Sequence, residues 1–162
     1  MENKISNSSI TKEVVINAPK DLVWHAWTIS DRVSQWFAPV TVIEPKVGGA
    51  FELYFDPGNE EGMNTKGCKV KSIVPNKELV FTWKGPDQFA SIMNSDNDLT
   101  IVNVYLEEQD DKTIVKVLHK GWKDGEEWDE AVKWHEMAWQ GVLSSLKNEI
   151  EKGEGILCCQ PE

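Results

Sequence analysis

Residues 126–150 read EEWDEAVKWHEMAWQGVLSSLKNEI, and the spacing within this stretch decides the fold. Trp128, Val132, His135, Trp139, Val142, Leu143, Leu146 and Ile150 recur at steps of three and four, which places them on one stripe of an α-helix. Glu126, Glu127 and Asp129 near its start, and Lys147 and Lys152 near its end, suit the helix dipole. Gly153 and Gly155 are the closing signals. About 25 residues at 1.5 Å each make a rod of roughly 37 Å, long enough to lie across a whole sheet.

The chain before this helix reads as strands. Thr113, Val115, Val117 and His119 share one face of a strand over about 113–120. Val102, Val104 and Leu106 do the same over about 99–107, and the two strands join across Gln109-Asp110-Asp111. Further upstream Leu79, Phe81 and Trp83 alternate with Val80, Thr82 and Lys84. Cys68, Val70, Ser72 and Val74 alternate with Lys69, Lys71 and Ile73, up to a Pro75-Asn76 turn. Phe51, Leu53 and Phe55 alternate after Gly48-Gly49 and end at Asp56-Pro57-Gly58-Asn59, a strong turn sequence. Residues 85–98 read as a longer polar loop.

At the N-terminal side, the β-branched run from Ile10 to Asn17 predicts a strand. Pro19 suits the first turn of a short helix running to Trp27. Ser30 reads as the cap of a second, brief helix that ends near Phe37, before Pro39. The fold class is therefore α+β: a curved antiparallel sheet wrapped around one long C-terminal helix, with two short helices after the first strand. Residues 10–152 are expected to form a single domain, with 1–9 a disordered tail and 153–162 a flexible one. There is no internal repeat.

Composition excludes several classes. A length of 162 residues, 40% hydrophobic and 27% charged, is ordinary for one globular domain. The net charge of -10 argues against nucleic acid or an anionic membrane as partner, since both reward a basic surface. No apolar run approaches the ~20 residues that span a bilayer. Cys68, Cys158 and Cys159, without a signal peptide, read as reduced thiols in a cytoplasmic protein. Eight tryptophans are unusual, and fit either a bulky core or an aromatic-lined pocket.

Val14-Val15-Ile16-Asn17-Ala18-Pro19, then Val23-Trp24, then Gln35-Trp36-Phe37-Ala38-Pro39, resemble the opening of SRPBCC proteins. Within these, the chain is most similar to the group related to the C-terminal domain of the activator of the 90-kDa heat-shock chaperone's ATPase. Val47 to Phe51, Gly67 to Val70, Pro75 to Trp83, Thr113 to His119 and Trp139 to Leu143 continue the resemblance, which covers about residues 10–152. It implies the START-related helix-grip fold with a hydrophobic cavity between sheet and long helix. It also implies a possible chaperone partner, with the stress-response setting that goes with one. It says little about chemistry, because one fold hosts many functions.

The sequence carries no strong catalytic signature. His25, His119 and His135 lack zinc-binding spacing, no Gly-x-Ser-x-Gly elbow occurs, and Gly48-Gly49 precedes a strand rather than a phosphate-binding helix. No cofactor or metal is called for. Glu60-Glu61, Glu107-Glu108, Asp110-Asp111 and Asp124 to Glu127 read as solvated charge, and His25 is expected to pair with Asp21. The remaining candidate is the cavity. Alternation turns Phe51, Leu53, Phe81 and Trp83, and then Val102, Val104, Val117 and His119, toward the long helix. Trp128, Val132, His135 and Trp139 face back, and Trp36 and Phe37 close one end. An apolar wall with a few polar points is how small-molecule pockets are built, although the same side chains could instead fill the space.

Three functions follow as expectations. The first is binding of a small hydrophobic or aromatic molecule, by a monomer or homodimer. The second is a co-chaperone role through surface contacts. The third is cyclase or hydratase chemistry with His119 or His135 as the acid–base group.

Overall fold

The computed structural model describes residues 9–59, 62–95, 97 and 99–153. The expectations for Glu60-Glu61, Gly155, Cys158, Cys159 and most of the two tails lie outside the described residues. The predicted long helix is α4, Glu126–Lys152, 27 residues. Gly125 precedes it, and Gly153 ends it in the left-handed region at φ 72°, its N–H donating to Glu149 C=O at 2.9 Å. The buried stripe is Trp128, Ala131, His135, Trp139, Val142, Leu143 and Leu146. Val132 and Ile150 are only partly buried, and Ala131 takes the inner position expected of Val132.

The sheet beneath α4 has five antiparallel strands in the order β1-β7-β6-β5-β4, formed by Ile10–Ile16 (β1), Val70–Val74 (β4), Glu78–Trp83 (β5), Thr100–Gln109 (β6) and Lys112–Lys120 (β7). Its register aligns the predicted inner rows: Phe81 lies opposite Val102, Val102 opposite His119, and Val104 opposite Val117. All five of these residues are buried. Strands β2 (Val40–Ile43) and β3 (Phe51–Tyr54) form a separate pair, tied to the larger sheet by a bridge between Ala50 and Lys69. Between them, Gly49 is required because a Cβ there would collide with the Glu44 carbonyl.

Four local expectations are corrected. The alternation through β4 does not hold, because a bulge between Val70 and Ser72 swaps faces. Cys68 and Val70 point inward, Val74 is 43% exposed and Ile73 turns to the core instead. The stretch read as a polar loop contains a 3-10 turn, Asp87–Phe89, and helix α3, Ala90–Met93, which bury Phe89 and Met93. Helix α1 (Lys20–Thr28) is as expected, but α2 spans only Ser30–Val33, and Ile29 precedes it without a side-chain cap. The Ser30 hydroxyl instead accepts the Ile43 N–H at 2.9 Å, and the Ser30 carbonyl accepts Thr41 Oγ1 at 2.8 Å. Ser30 therefore holds β2 in place. Asp21 accepts from the Leu22 N–H rather than pairing with His25.

The C-terminal half of α4 is fastened to the sheet edge. Lys147 Nζ donates to Val15 C=O at 2.6 Å, and Glu151 accepts both Lys147 and the Asn17 N–H. Among the described residues no helix is long and apolar enough to cross a membrane.

Candidate ligand-binding cleft

A cleft opens where the middle of α4 passes the ends of β3 and β5. Trp134, His135, Ala138, Trp139 and Val142 form its helix side, and Phe37, Phe55 and Trp83 its sheet side. Met63, Asn64, Lys84, Gly85 and Pro86 form the rim. The recess measures about 440 Å³ out to its open mouth, yet the space a water can occupy is only about 30 Å³. That is room for roughly two waters at about 10–15 Å³ each. Much of the space between sheet and helix is thus filled by side chains.

Of the predicted wall, Phe37, Trp83, His135 and Trp139 are brought together at the cleft. Their rings touch: Phe37 lies 6.0 Å from Trp83 and 5.8 Å from Trp139, and Trp83 lies 5.6 Å from Trp139. Phe51, Leu53, Phe81, Val102, Val104 and Val117 are buried in the core behind it, with Phe51 and Phe81 stacked at 3.8 Å. Trp36 is buried against Trp27 at 4.7 Å and donates Nε1–H to Ala26 C=O. Trp128 packs near Trp122, at 6.3 Å. His119 is fully buried and does not line the cleft, and neither does the partly buried Val132.

The two histidines are tied into a network of indoles. His135 Nδ1–H donates to Ala131 C=O at 2.7 Å, which leaves Nε2 to accept Trp83 Nε1–H at 3.1 Å. His119 Nδ1 accepts Trp139 Nε1–H at 3.0 Å, so in the neutral ring Nε2–H donates to Thr100 Oγ1 at 2.8 Å. Trp122 lies against the His119 ring at 4.4 Å and donates to the His119 carbonyl. The two imidazoles are 5.4 Å apart. Burial pushes His135 down to about 4, opposed by its bond to Ala131. Burial, and then the neighbouring His135, hold His119 well below the usual histidine range. Both rings are neutral at pH 7, and each commits both nitrogens. Neither has a nitrogen free to abstract or deliver a proton at the cleft.

The rim is held by backbone bonds. Asn94 clasps Gly85 twice, accepting its N–H at 2.8 Å and donating to its carbonyl at 3.1 Å. A Cβ at Gly85 would lie 2.5 Å from Met93 Sδ, so a larger residue here would have to displace the Met93 side chain. This clasp sets the 3-10 turn so that Phe89 packs 6.3 Å from Trp134 and 6.4 Å from His135. Asp87 accepts the Met63 N–H at 2.9 Å and joins the turn to the opposite rim.

Sequence reasoning missed Phe55, Trp134, Ala138, Val142 and the rim. Phe55 and Val142 lay on the recognised inward rows and were separable from core only by position along the fold. Trp134 lies one residue off the stripe, a place that marks the edge of a helix contact. The apolar spacing of Phe89, Ile92 and Met93 was the signal for the buried turn.

Among curated proteins none matches the chain. A solution structure of the Aha1 dimer from Colwellia psychrerythraea is 23% identical and superposes with a TM-score of 0.72, over 91% of this chain and 99% of that one. Protein BH1534 of Bacillus halodurans is 25% identical, with a TM-score of 0.70 over 91% and 100%. An HSP90 activator from Plasmodium falciparum, PFC0360w, is 17% identical, with a TM-score of 0.64 over 90% and 96%. These likenesses establish the helix-grip fold. The family profile described as Activator of Hsp90 ATPase homolog 1-like protein matches residues 17–151, and the chain belongs to that family.

Proposed function

We propose that the protein binds a small hydrophobic or aromatic molecule in the cleft beside α4. The observation that carries this reading is the cleft wall, where Phe37, Phe55, Trp83, Trp134 and Trp139 surround a recess that opens to solvent. Buried aromatic rings with few polar atoms give large contact area to a flat apolar guest. Because the open space is small, binding requires the rim near Met63 and Gly85 to give way, a modest rearrangement of the kind many binding sites make. Native mass spectrometry of purified protein, followed by organic extraction, tests this. A discrete apolar adduct is expected. A clean mass, with no shift on adding flat aromatic compounds, would end the reading.

A second reading is a co-chaperone role through surface contacts. It is supported by the family description and by the likeness to an HSP90 activator. Met137, 78% exposed on the outer face of α4, offers an apolar contact for such a partner. Stimulation of a chaperone's ATPase by the purified protein, abolished by Met137→Glu, is the expected result. The cyclase or hydratase reading ranks below both, because it needs a histidine nitrogen that the Trp83 and Trp139 bonds already occupy.

A further inference from the structure

The solvent face of α4 carries two features that a single chain does not account for. Met137 is 78% exposed. Gly141, about 6 Å and one turn further along the axis, lies inside the helix, where glycine is the poorest residue after proline. Its φ is not positive, and a Cβ there would meet nothing within 4 Å. Neither backbone conformation nor packing within the chain calls for glycine at this position. Lys133, Gln140 and Ser144 beside them are exposed as well.

A protruding methionine beside a gap on the same helix face is self-complementary. A two-fold axis crossing α4 next to residue 139 seats each Met137 over the other copy's Gly141, because both positions are equally far from the axis. With no side chain at 141, two helices can reach the short end of the about 8–10 Å interaxial range. Charge decides their direction. Glu126, Glu127, Asp129 and Glu130 crowd the N-terminal end of α4, and Lys152 stands at its C-terminal end. Antiparallel copies set Glu126 toward the other copy's Lys152, Glu130 toward Asn148 and Lys133 toward Ser144, whereas parallel copies would bring the acidic ends together. We propose that the outer face of α4 is the contact surface of a homodimer, an antiparallel helix pair centred on Met137 and Gly141. One helix face per copy makes a contact smaller than the about 1,200–2,000 Å² of stable interfaces, so the dimer is weak, with a Kd of roughly 10–100 µM. A copy seated there covers Met137, and a chaperone contact at that residue would have to displace it.

The test is sedimentation velocity of the full chain from about 5 to about 500 µM, which brackets that Kd. A rise from monomer to dimer mass is expected. Met137→Glu should weaken association about tenfold or more. Gly141→Gln should do the same while raising the melting temperature of the dilute protein by about 2–4 °C, because only the dimer needs glycine there. Val47→Glu, at another exposed apolar position, should change neither. With Cys158 and Cys159 replaced by serine, Lys133→Cys and Ser144→Cys should each fail to cross-link to itself and form a disulfide when mixed, read from the joined tryptic peptides. A wild type that stays monomeric at about 500 µM overturns the proposal. So does a dimer that survives both Met137→Glu and Gly141→Gln, since its contact lies on another surface. A lower melting temperature for Gly141→Gln would mean that the fold itself needs the glycine, and a disulfide within Lys133→Cys alone would mean parallel helices; either result overturns the arrangement.

Discussion

Along α4, the first half faces a layer of ring nitrogens, whereas the second half is fastened to backbone. From Trp128 to Trp139 the contacts that matter join side chain to side chain: Trp83 to His135, and Trp139 to His119. From Val142 onward they join side chain to main chain: Ser145 to Trp36 C=O, Lys147 to Val15 C=O, and Glu151 to Asn17 N–H. A side-chain network holds only if every partner keeps its identity and protonation state, because a buried polar group left unpaired is costly. A main-chain anchor depends on the backbone path and tolerates exchange of the residues around it. The half of the helix that borders the cleft is thus the chemically exacting half.

The largest effect should come from the exacting half. Trp139→Ala removes a buried ring and orphans His119 Nδ1, and is expected to lower unfolding free energy by ~3–5 kcal/mol in urea titration. A loss under ~1 kcal/mol would show that the first half of α4 is no tighter than the second.

Acid should strike the same half next. His135 lies at about 4 in the folded protein, below its ordinary 6.5, so the unfolded chain binds the extra proton first. The stability this group contributes is complete above pH 6.5 and is lost as pH falls toward 4. Between pH 6.5 and 5 the loss is about 2 kcal/mol for His135, and His119 acts in the same direction. Denaturant curves at the two pH values measure it, with His135→Gln expected to flatten the dependence. Constant stability across this range would mean that the rings are protonated or solvated, contrary to the network described.

The anchored half should respond weakly. Ser145→Ala deletes one buried hydrogen bond to Trp36 C=O, and should shift stability by about 1 kcal/mol. A loss comparable to that of Trp139→Ala would erase the contrast between the halves. Smallest of all, Lys147→Ala removes an exposed i,i+4 pair with Glu151, expected at about 0.5 kcal/mol and fading in 1 M salt. An effect that persists in high salt would assign the anchoring to the Val15 carbonyl contact rather than to the ion pair.

Much of this was legible beforehand. The alternations through Phe81, Val102 and Val117 and the stripe through His135 and Trp139 located the core from residue spacing alone. Strand β2 was not recognised, although Val40, Thr41, Val42 and Ile43 are all β-branched, because four residues are too few for periodicity to stand out. The inward face of β4 was misread after Val70, since a single bulged residue reverses every later side chain and leaves no mark in the pattern. Ser30 looked like a helix cap because serine often is one; its partner, Ile43, is thirteen residues away.

By itself, the sequence determined the longer elements, their order and, outside β4, which side of each would be apolar, because these follow from local periods of 3.6 and 2 that neighbouring residues express together. Only the tertiary structure decided which indole meets which imidazole, and so which nitrogens are left for chemistry. It also decided that the predicted cavity is mostly filled, with its opening at Phe55, Trp134 and Lys84 rather than along the whole inner wall. The physical reason is that periodicity assigns a side chain to a face. Its depth, its partner and the space beside it are set by residues distant in sequence, such as Trp83 and His135, 52 positions apart, which meet only once the sheet has curved around the helix.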